Sequence, residues 1–579
     1  MNDDWCSYVQ KIVERYCKIT NLVGWTFMDE YADGVTYPDE AFRDFLRQEY
    51  ETVRRLNQFW GTNYGDFGEV TLEYARNGRG RPEATMVQEA FPYGIGPKAF
   101  DSAHFKVERT AWANRRFEDT VREVDLVTPI WSGANNIGWS SCQIPATWGA
   151  FFYFYPESSG NDMLTHHIWA MDVGRGPNAR PVMQMLLPEH FSHHSWHRDA
   201  RVLRGWMMES AIHGASGITV WPWGFLGKDN REGDRSSSME RIDLTGLTIR
   251  QLEACGLFNM MPMPTIAVLY EPYAEGWGNK SQVYGVLRYP TGEPLHLFRE
   301  LPFGTKFGQV EYLTSNTLDQ ARYEEYGVIL APFACDLTSE MVHLLREYVE
   351  GGGVLVADVG FDCLRAGKTV TSMSEEARKL FGIRSLKVSD SGSGRFVATG
   401  EYAELLGGIV AEEDRTNRLL QYPLDVKTSS AKAALKGPGR QGVFVNEVGE
   451  GYAVFISCLA WSESTVTDPL LRRIHEALFQ RRSRIELLDP VDWSLVARRP
   501  WYAQGYEIAL VNGGYVLQNR RDLDEEAPRR SLHTNFTVRV EGTDRQHVLL
   551  PRTVILAKED EVIPLGTGQW PVETGAARR

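Results

Sequence analysis

The pair Asp29-Glu30 closes a run, residues 22–28, that is apolar apart from Gly24 and Thr26. Continuously apolar runs of this length suit buried parallel strands, so the two carboxylates stand where such a strand gives way to its loop. In a (β/α) barrel that is where catalysis is placed, because strand ends converge there and their loops enclose the substrate. A carboxyl group so held can protonate a leaving oxygen. Glycoside cleavage needs that acid and, in retaining enzymes, a second carboxylate about 5 Å away to attack the anomeric carbon. Glu30 is the first candidate. On position alone, a plain loop cap or an arginine partner accounts for it equally well.

The elements that must hold this pair follow from periodicity. Trp5, Tyr8, Val9, Ile12, Val13 and Tyr16 form one face of an amphipathic helix, which Thr20-Asn21 ends. A second helix is predicted over 38–59, with Pro38 in its first turn and Asp39-Glu40 at the positive end of its dipole. Strands are predicted at 125–131, 150–155, 181–187 and 218–223, with helical stretches at 105–124, 163–173 and 198–213. Strands alternating with helices make parallel βα units. Counting the first, five strands precede a change of pattern near Met261, whereas a closed barrel needs eight.

The expected fold class is therefore α/β, in three parts. Residues 1–260 form a (β/α)8-type (TIM) barrel that is partial, its N-terminal part missing. Residues 261–482 form a doubly wound, flavodoxin-like or amidotransferase-like α/β domain, with strands at 266–270, 328–331 and 354–358 and a helix at 338–350 that Gly351-Gly352-Gly353 ends. Residues 483–579 form a small antiparallel, β-sandwich-like domain from alternating runs such as 507–511, 536–540 and 554–557.

Composition narrows the function. With 62 Lys plus Arg against 76 Asp plus Glu, the formal charge is −14; broad binding to nucleic acid is not expected. No apolar stretch approaches the roughly 18 residues of a membrane span, and the first residues lack the layout of a secretory signal, so a cytoplasmic protein without membrane partners is expected. Seven scattered cysteines, never spaced C-x-x-C, suggest neither a disulfide framework nor a zinc site.

Beyond periodicity, the run from Asn21 to Tyr31, with Ala41-Phe42-Arg43-Asp44-Phe45-Leu46 and Leu56-Asn57-Gln58-Phe59-Trp60-Gly61-Thr62 after it, resembles the fourth strand and following helix of glycoside hydrolase family 42, the β-galactosidases. Tyr155-Pro156 is similar to the end of that family's sixth strand. His213-Gly214-Ala215 before Trp221-Pro222-Trp223 is similar to the approach to its eighth. The stretch 328–356 is similar to its trimerisation domain. The resemblance implies a retaining glycoside hydrolase acting on a β-galactoside or related glycoside, a carbohydrate substrate, no cofactor and a homotrimer. It implies Glu30 as general acid/base. Glu189 is carried over as nucleophile, three residues beyond Leu186, where simple alignment expects it; Glu157 is the reserve. Asp29, where the family has Asn, would hydrogen-bond a sugar hydroxyl, and Trp131, Tyr153, Trp221 and Trp223 would line the site. If 22–28 is strand four, three strands should precede it. Either a second chain completes the barrel, or the start lies upstream, or the strand numbering is shifted. An inactive carbohydrate-binding or scaffold homologue is the alternative function.

Three further features receive bland readings. His190, His193, His194 and His197 space as metal ligands could, but without a nearby Cys or an H-E-x-x-H pattern they read as a polar loop, and no metal is expected. Cys363 follows a strand but lacks a G-x-C-x-G setting, so it reads as a core thiol. Residues 77–82, Asn-Gly-Arg-Gly-Arg-Pro, read as a solvated loop.

Overall fold

A computed structural model describes residues 3–29, 37–72, 97–133, 149–154, 182–186, 214–220, 235–254, 260–262, 264–270, 310–314, 317–366, 369–390, 395–408, 414–416 and 423–461, with a few residues at 172–177, 207–211, 258 and 473–478 and isolated strands beyond 484. Helix α1 (Asp3–Tyr16) precedes strand β1 (Trp25–Asp29), and two helices follow, α2 (Asp39–Tyr50) and α3 (Val53–Trp60). The single helix expected over 38–59 is thus two. Glu51 takes a positive φ of 58°, and the Thr52 hydroxyl accepts a bond from the Arg55 amide, capping the second helix. Helix α4 (Pro97–Arg122) leads to β2 (Ile130–Gly133), and β3 (Gly149–Phe154), β4 (Val182–Leu186) and β5 (Ala215–Val220) complete a five-stranded sheet in the order β1-β2-β3-β4-β5. Every neighbouring pair is parallel.

The strand expected from 125 begins at Ile130 because Asp125 makes a turn. Its carboxylate accepts the amides of Val127 and Thr128 on one oxygen and the Trp25 indole N–H on the other, at 2.9 Å. Arg122 donates to the carbonyls of Asp125 and Thr128 from the end of α4. Burial alone would raise the Asp125 pKa, but these donors outweigh it and hold the carboxyl well below the usual range. The turn therefore fixes β2 against the start of β1.

Register sorts the sheet into two faces. Ile130, Val182 and Ala215 lie on one of them, fully buried, in a core that includes Val13 of α1 and Phe117 and Val121 of α4. The other face carries Thr26, Trp131, Gly149, Tyr153, Met185, Gly217 and Thr219, as the pairings Thr26↔Trp131↔Gly149, Tyr153↔Met185↔Thr219 and Met183↔Gly217 require.

Helix α5 (Arg235–Ala254) and strand β6 (Met260–Pro262) lead into a nine-stranded sheet. Its parallel part consists of β7 (Ile266–Leu269), β8 (Val310–Leu313), β9 (Val328–Ala331), β10 (Val354–Ala357) and β17 (Gly451–Ile456). They lie in the order β8-β7-β9-β10-β17, which is the flavodoxin-like winding 2-1-3-4-5. Between β9 and β10, α6 (Ser339–Glu350) ends at the three glycines; Gly352 has φ +97°, and a Cβ on Gly353 would lie 2.3 Å from the Tyr348 ring. Strands β12 (Arg395–Ala398), β13 (Asp414–Thr416), β15 (Lys432–Lys436) and β16 (Gly442–Val448) extend the sheet antiparallel beyond β17, and β11 (Ile383–Val388) pairs apart with β14 (Leu424–Thr428).

At the C-terminal edge of the parallel strands, Asp358 accepts the amides of Phe333, at 2.7 Å, and Ala460, at 3.0 Å, so three strand ends are tied together. Phe333, Phe361, Cys363 and Trp461 fill this edge without solvent exposure to speak of. Burial pushes the Cys363 thiol upward, and an inert thiol follows.

The C-terminal strands are antiparallel. Strand β18 (Ile485–Leu487) pairs with β21 (Phe536–Val540), which pairs with β22 (Gln546–Leu549). A second set runs β24 (Glu561–Leu565), β23 (Val554–Lys558), β20 (Ile508–Val511), β19 (Ser494–Pro500), and takes β6 as its fifth strand.

Candidate active site

All five strands of the first sheet point the same way, so their C-terminal ends share one edge. Glu30 is the residue after β1, Trp221 the residue after β5, and Glu189 stands three residues past the end of β4. Tyr153 is next to last in β3. Glu30, Glu157, Glu189, Trp221 and Trp223 themselves lie outside the described residues, as do His190, His193, His194, His197 and the loop 77–82.

Within the strands, position 29 is set by a β-bulge. Trp25, Thr26 and Phe27 pair in order with Ile130, Trp131 and Ser132, but the next pair is Asp29↔Gly133, leaving Met28 as the extra residue. Without the bulge Met28 would sit opposite Gly133. With it, residue 29 is the one in register with Gly133, and of the expected substrate-binding positions 131 and 153 fall on the same face of the sheet by register.

The Trp131 indole lies over Gly24, ahead of β1: a Cβ on Gly24 would come within 2.4 Å of Trp131 Cδ1, so only a glycine at 24 leaves the ring room.

Thr219, one residue before the end of β5, was not anticipated. Its Oγ1 is buried and meets no hydrogen-bond partner among the described residues, in the row of Tyr153 and Met185. The signal was a hydroxyl flanked by the apolar Ile218 and Val220.

The motif that follows β1 builds a scaffold. Asn57 Oδ1 accepts the Tyr64 amide and the Thr62 hydroxyl, and its Nδ2 donates to the Tyr64 carbonyl at 2.8 Å. Gly61 takes the left-handed conformation that ends α3. The chain then returns to the start of α2, where the Leu72 amide bonds Asp39 and Arg43 Nε bonds the Val70 carbonyl. Beneath it Phe42, Leu46, Leu56, Trp60 and Phe105 form a small core. Into this core projects Asp101 of α4, whose Oδ2 accepts the Tyr50 hydroxyl at 2.5 Å and the Trp60 indole N–H at 2.6 Å. Burial raises its pKa to about 7, and the two donors only partly oppose that. Asp101 ties α2, α3 and α4 together, and with them the helices that leave the Asp29 end of β1.

Comparison with known proteins agrees with this geometry. Residues 3–235 match the model of glycoside hydrolase family 42, described as beta-galactosidase. The β-galactosidase LacZ of Heyndrickxia coagulans is 23% identical over 378 residues, covering 60% of this chain and 52% of that protein. The β-galactosidase bgaB of Geobacillus kaustophilus is 21% identical over 386 residues with the same coverage. The chain thus spans about half the length of the curated relatives it matches. Among solved structures, the β-galactosidase from Bacillus circulans sp. alkalophilus superposes with a TM-score of 0.68 at 14% identity, over 96% of this chain and 82% of that one. A catalytic mutant of Gan42B, a family 42 β-galactosidase of G. stearothermophilus, does so with a TM-score of 0.66 at 17% identity, with the same shares. At such identities the superposition speaks for the fold, a TIM barrel with further domains, and residues 3–235 are similar in sequence to glycoside hydrolase family 42.

Proposed function

We propose that this protein is a retaining glycoside hydrolase acting on β-galactosides or related glycosides. Glu30 is its general acid/base and Glu189 its nucleophile. Glu30 protonates the glycosidic oxygen while Glu189 attacks the anomeric carbon, forming a glycosyl ester; the leaving group departs, and Glu30, now ionised, takes a proton from the water that hydrolyses the ester. Trp131, Tyr153, Trp221 and Trp223 line the site and stack on the apolar faces of the sugar, and Asp29 accepts a bond from a sugar hydroxyl. The excluded water keeps the acid protonated near neutrality. The observation that carries the reading is the common edge of five parallel strands, onto which the sequence delivers Glu30 and the segment of Glu189.

Residues 1–260 would be the catalytic unit, 261–482 the unit through which three copies associate, and 483–579 a β appendage, in a cytoplasmic homotrimer. Among the described residues no helix is long and apolar enough to cross a membrane. The test is hydrolysis of an aryl β-galactoside by wild type and Glu30→Gln, with circular dichroism to confirm the fold. Loss of turnover in the variant supports the assignment, and undiminished hydrolysis rejects it. The inactive, sugar-binding alternative is not favoured, and binding without turnover in the wild type would restore it.

A further inference from the structure

We propose that the two-stranded ribbon of β11 and β14 carries a docking strip for an anionic polysaccharide, outside the catalytic unit; the choice of a glycan among polyanions rests on the hydrolase reading above. Register makes the strip. Ser385 pairs with Lys427, Leu386 with Val426 and Lys387 with Asp425, and alternate residues of a strand face opposite sides. Leu424 and Val426 turn inward, at 0% and 4% exposure, while Ser385, Lys387 and Lys427 are exposed. A register shift between Ile383 and Ser385 leaves Arg384 as an extra residue, exposed like them, and lets Ile383 stay buried. A fourth cation stands beside these three. The turn at 437–441 runs along β14, because the Val426 amide donates to the Arg440 carbonyl at 3.0 Å and Gln441 Nε2 donates to Ser389 Oγ at 2.7 Å. The exposed Arg440 therefore flanks the Asp425 end of the ribbon.

These charges have no carboxylate holding them. Asp425, opposite Lys387, is directed at the turn, where its Oδ1 accepts the Arg440 amide at 3.3 Å. Among the described residues Arg384, Lys387, Lys427 and Arg440 make no ion pair, whereas Lys379 and Lys432 are held by Glu375 and Glu401 at 2.7 and 3.5 Å. Every second residue of the strip is about 7 Å further along the strand, and the strands are about 5 Å apart. Exposed Ser385 and Ser429 add hydroxyl donors. In a chain whose formal charge is −14, the ribbon concentrates positive potential locally.

The shape of the strip selects the polyanion. A duplex presents its charge over a broad face and would meet the acidic remainder of the surface. Single-stranded nucleic acid is held by aromatic rings that stack on its bases, and among the described residues the exposed aromatics, Tyr8, Tyr16 and Trp112, lie off the ribbon. A linear glycan bearing sulfate or carboxylate groups needs only a narrow row of cations with hydroxyls between them, and each contact is a charge-assisted hydrogen bond. Three copies of the ribbon facing one another about a threefold axis would repel, so in a trimer the strip stays outside.

The experiment follows binding of the full chain to labelled carrageenan, polygalacturonate, neutral galactan and oligothymidylate by fluorescence anisotropy. It compares wild type, the ribbon variant Arg384→Gln/Lys387→Gln/Lys427→Gln, and a matched variant, Lys11→Gln/Lys18→Gln/Arg54→Gln, which removes the same charge from exposed positions elsewhere. Carrageenan reads sulfate and polygalacturonate reads carboxylate. The expected result is binding of at least one of these two, no binding of galactan, and a loss of roughly 10- to 100-fold confined to the ribbon variant. Raising the salt from about 0.05 to about 0.3 M should weaken the binding as well. Binding of neither anionic glycan, an equal loss in both variants, or tighter binding of oligothymidylate overturns the proposal. So does a smaller oligomer of the ribbon variant in light scattering, which would assign the cations to an acidic face of a second copy. Hydrolysis of an aryl β-galactoside should be the same in all three proteins. If wild type does not hydrolyse it, the hydrolase reading has failed, and the anisotropy result still decides the strip.

Discussion

Replacing Asp101 by Asn tests the reasoning about the small core behind β1. Its carboxyl pKa is about 7 in the folded protein, against about 3.9 in an unfolded chain. The folded state therefore holds the proton more tightly. Its stability is highest when Asp101 is protonated in both states, below about pH 4, and falls as pH rises through 7. Three pKa units at about 1.4 kcal/mol each amount to a loss on the order of 4 kcal/mol across that window. Asn keeps an acceptor oxygen for Tyr50 and Trp60 and never ionises. The side chain is almost fully buried, so solvent screening does little to reduce the figure. Because a chain with several sheets does not unfold in one step, the readout is local: hydrogen exchange at the amides of α3, at pH 5 and pH 8. The difference in opening free energy between Asp101→Asn and wild type should move in favour of the variant by about 2.6 kcal/mol between the two pH values, since pH 5 already lies above the unfolded pKa. Glu49 and Asp336, which also act on Asp101 electrostatically, are present in both proteins and largely cancel. A difference that stays constant with pH would refute the account.

Asp125→Ala should destabilise the first sheet by about 3 kcal/mol, since three donors lose a charged acceptor; hydrogen exchange at the amides of β1 and β2 reads it. This contribution of Asp125 is present above the unfolded pKa near 3.9 and is lost as pH falls toward its depressed folded value, so the variant and wild type should converge in acid. Gly24→Ala forces the new methyl into the Trp131 ring and should cost about 1–3 kcal/mol, with a shift in tryptophan emission; an unchanged spectrum and stability would contradict the placement of the indole. Cys363 should resist thiol reagents in the native protein and react fully on unfolding, and stoichiometric labelling of the folded chain at that position would show the edge of the nine-stranded sheet to be open.

How far the sequence revealed the molecule depended on whether a local signal was sufficient. Strands β9 and β21 occur with the expected limits, because Val328–Ala331 and Phe536–Val540 are dense in β-branched or alternating apolar residues. The helix break at Glu51 was hidden, since the apolar spacing continues across it and only Thr52, an ordinary residue in a helix pattern, marks a cap. The late start of β2 depends on a turn whose carboxylate finds the Trp25 indole 100 residues away. A pattern search cannot see such a partner. The same holds near the strand ends: the positions of Asp29 and Tyr153 at the ends of β1 and β3 are legible in the sequence, whereas the bulge at Met28, the packing of Trp131 over Gly24 and the burial of Asp101 arise from tertiary structure. Asp101 is not legible because the apolar periodicity predicts a helix only from 105, while α4 starts at Pro97.

Strand β6 has a consequence for how the chain is made. Met260–Pro262 sits between α5 and β7, yet its ladder partner is Arg498–Pro500. About 240 residues must leave the ribosome before that ladder can close, and at roughly 5–20 residues per second this takes some 10 to 50 seconds. Throughout that interval the link between the first sheet and the second has no strand beside it. Nascent chains stalled or truncated before residue 494 would leave 260–262 without its ladder partner, while those released just after 500 would have it paired with their own tail.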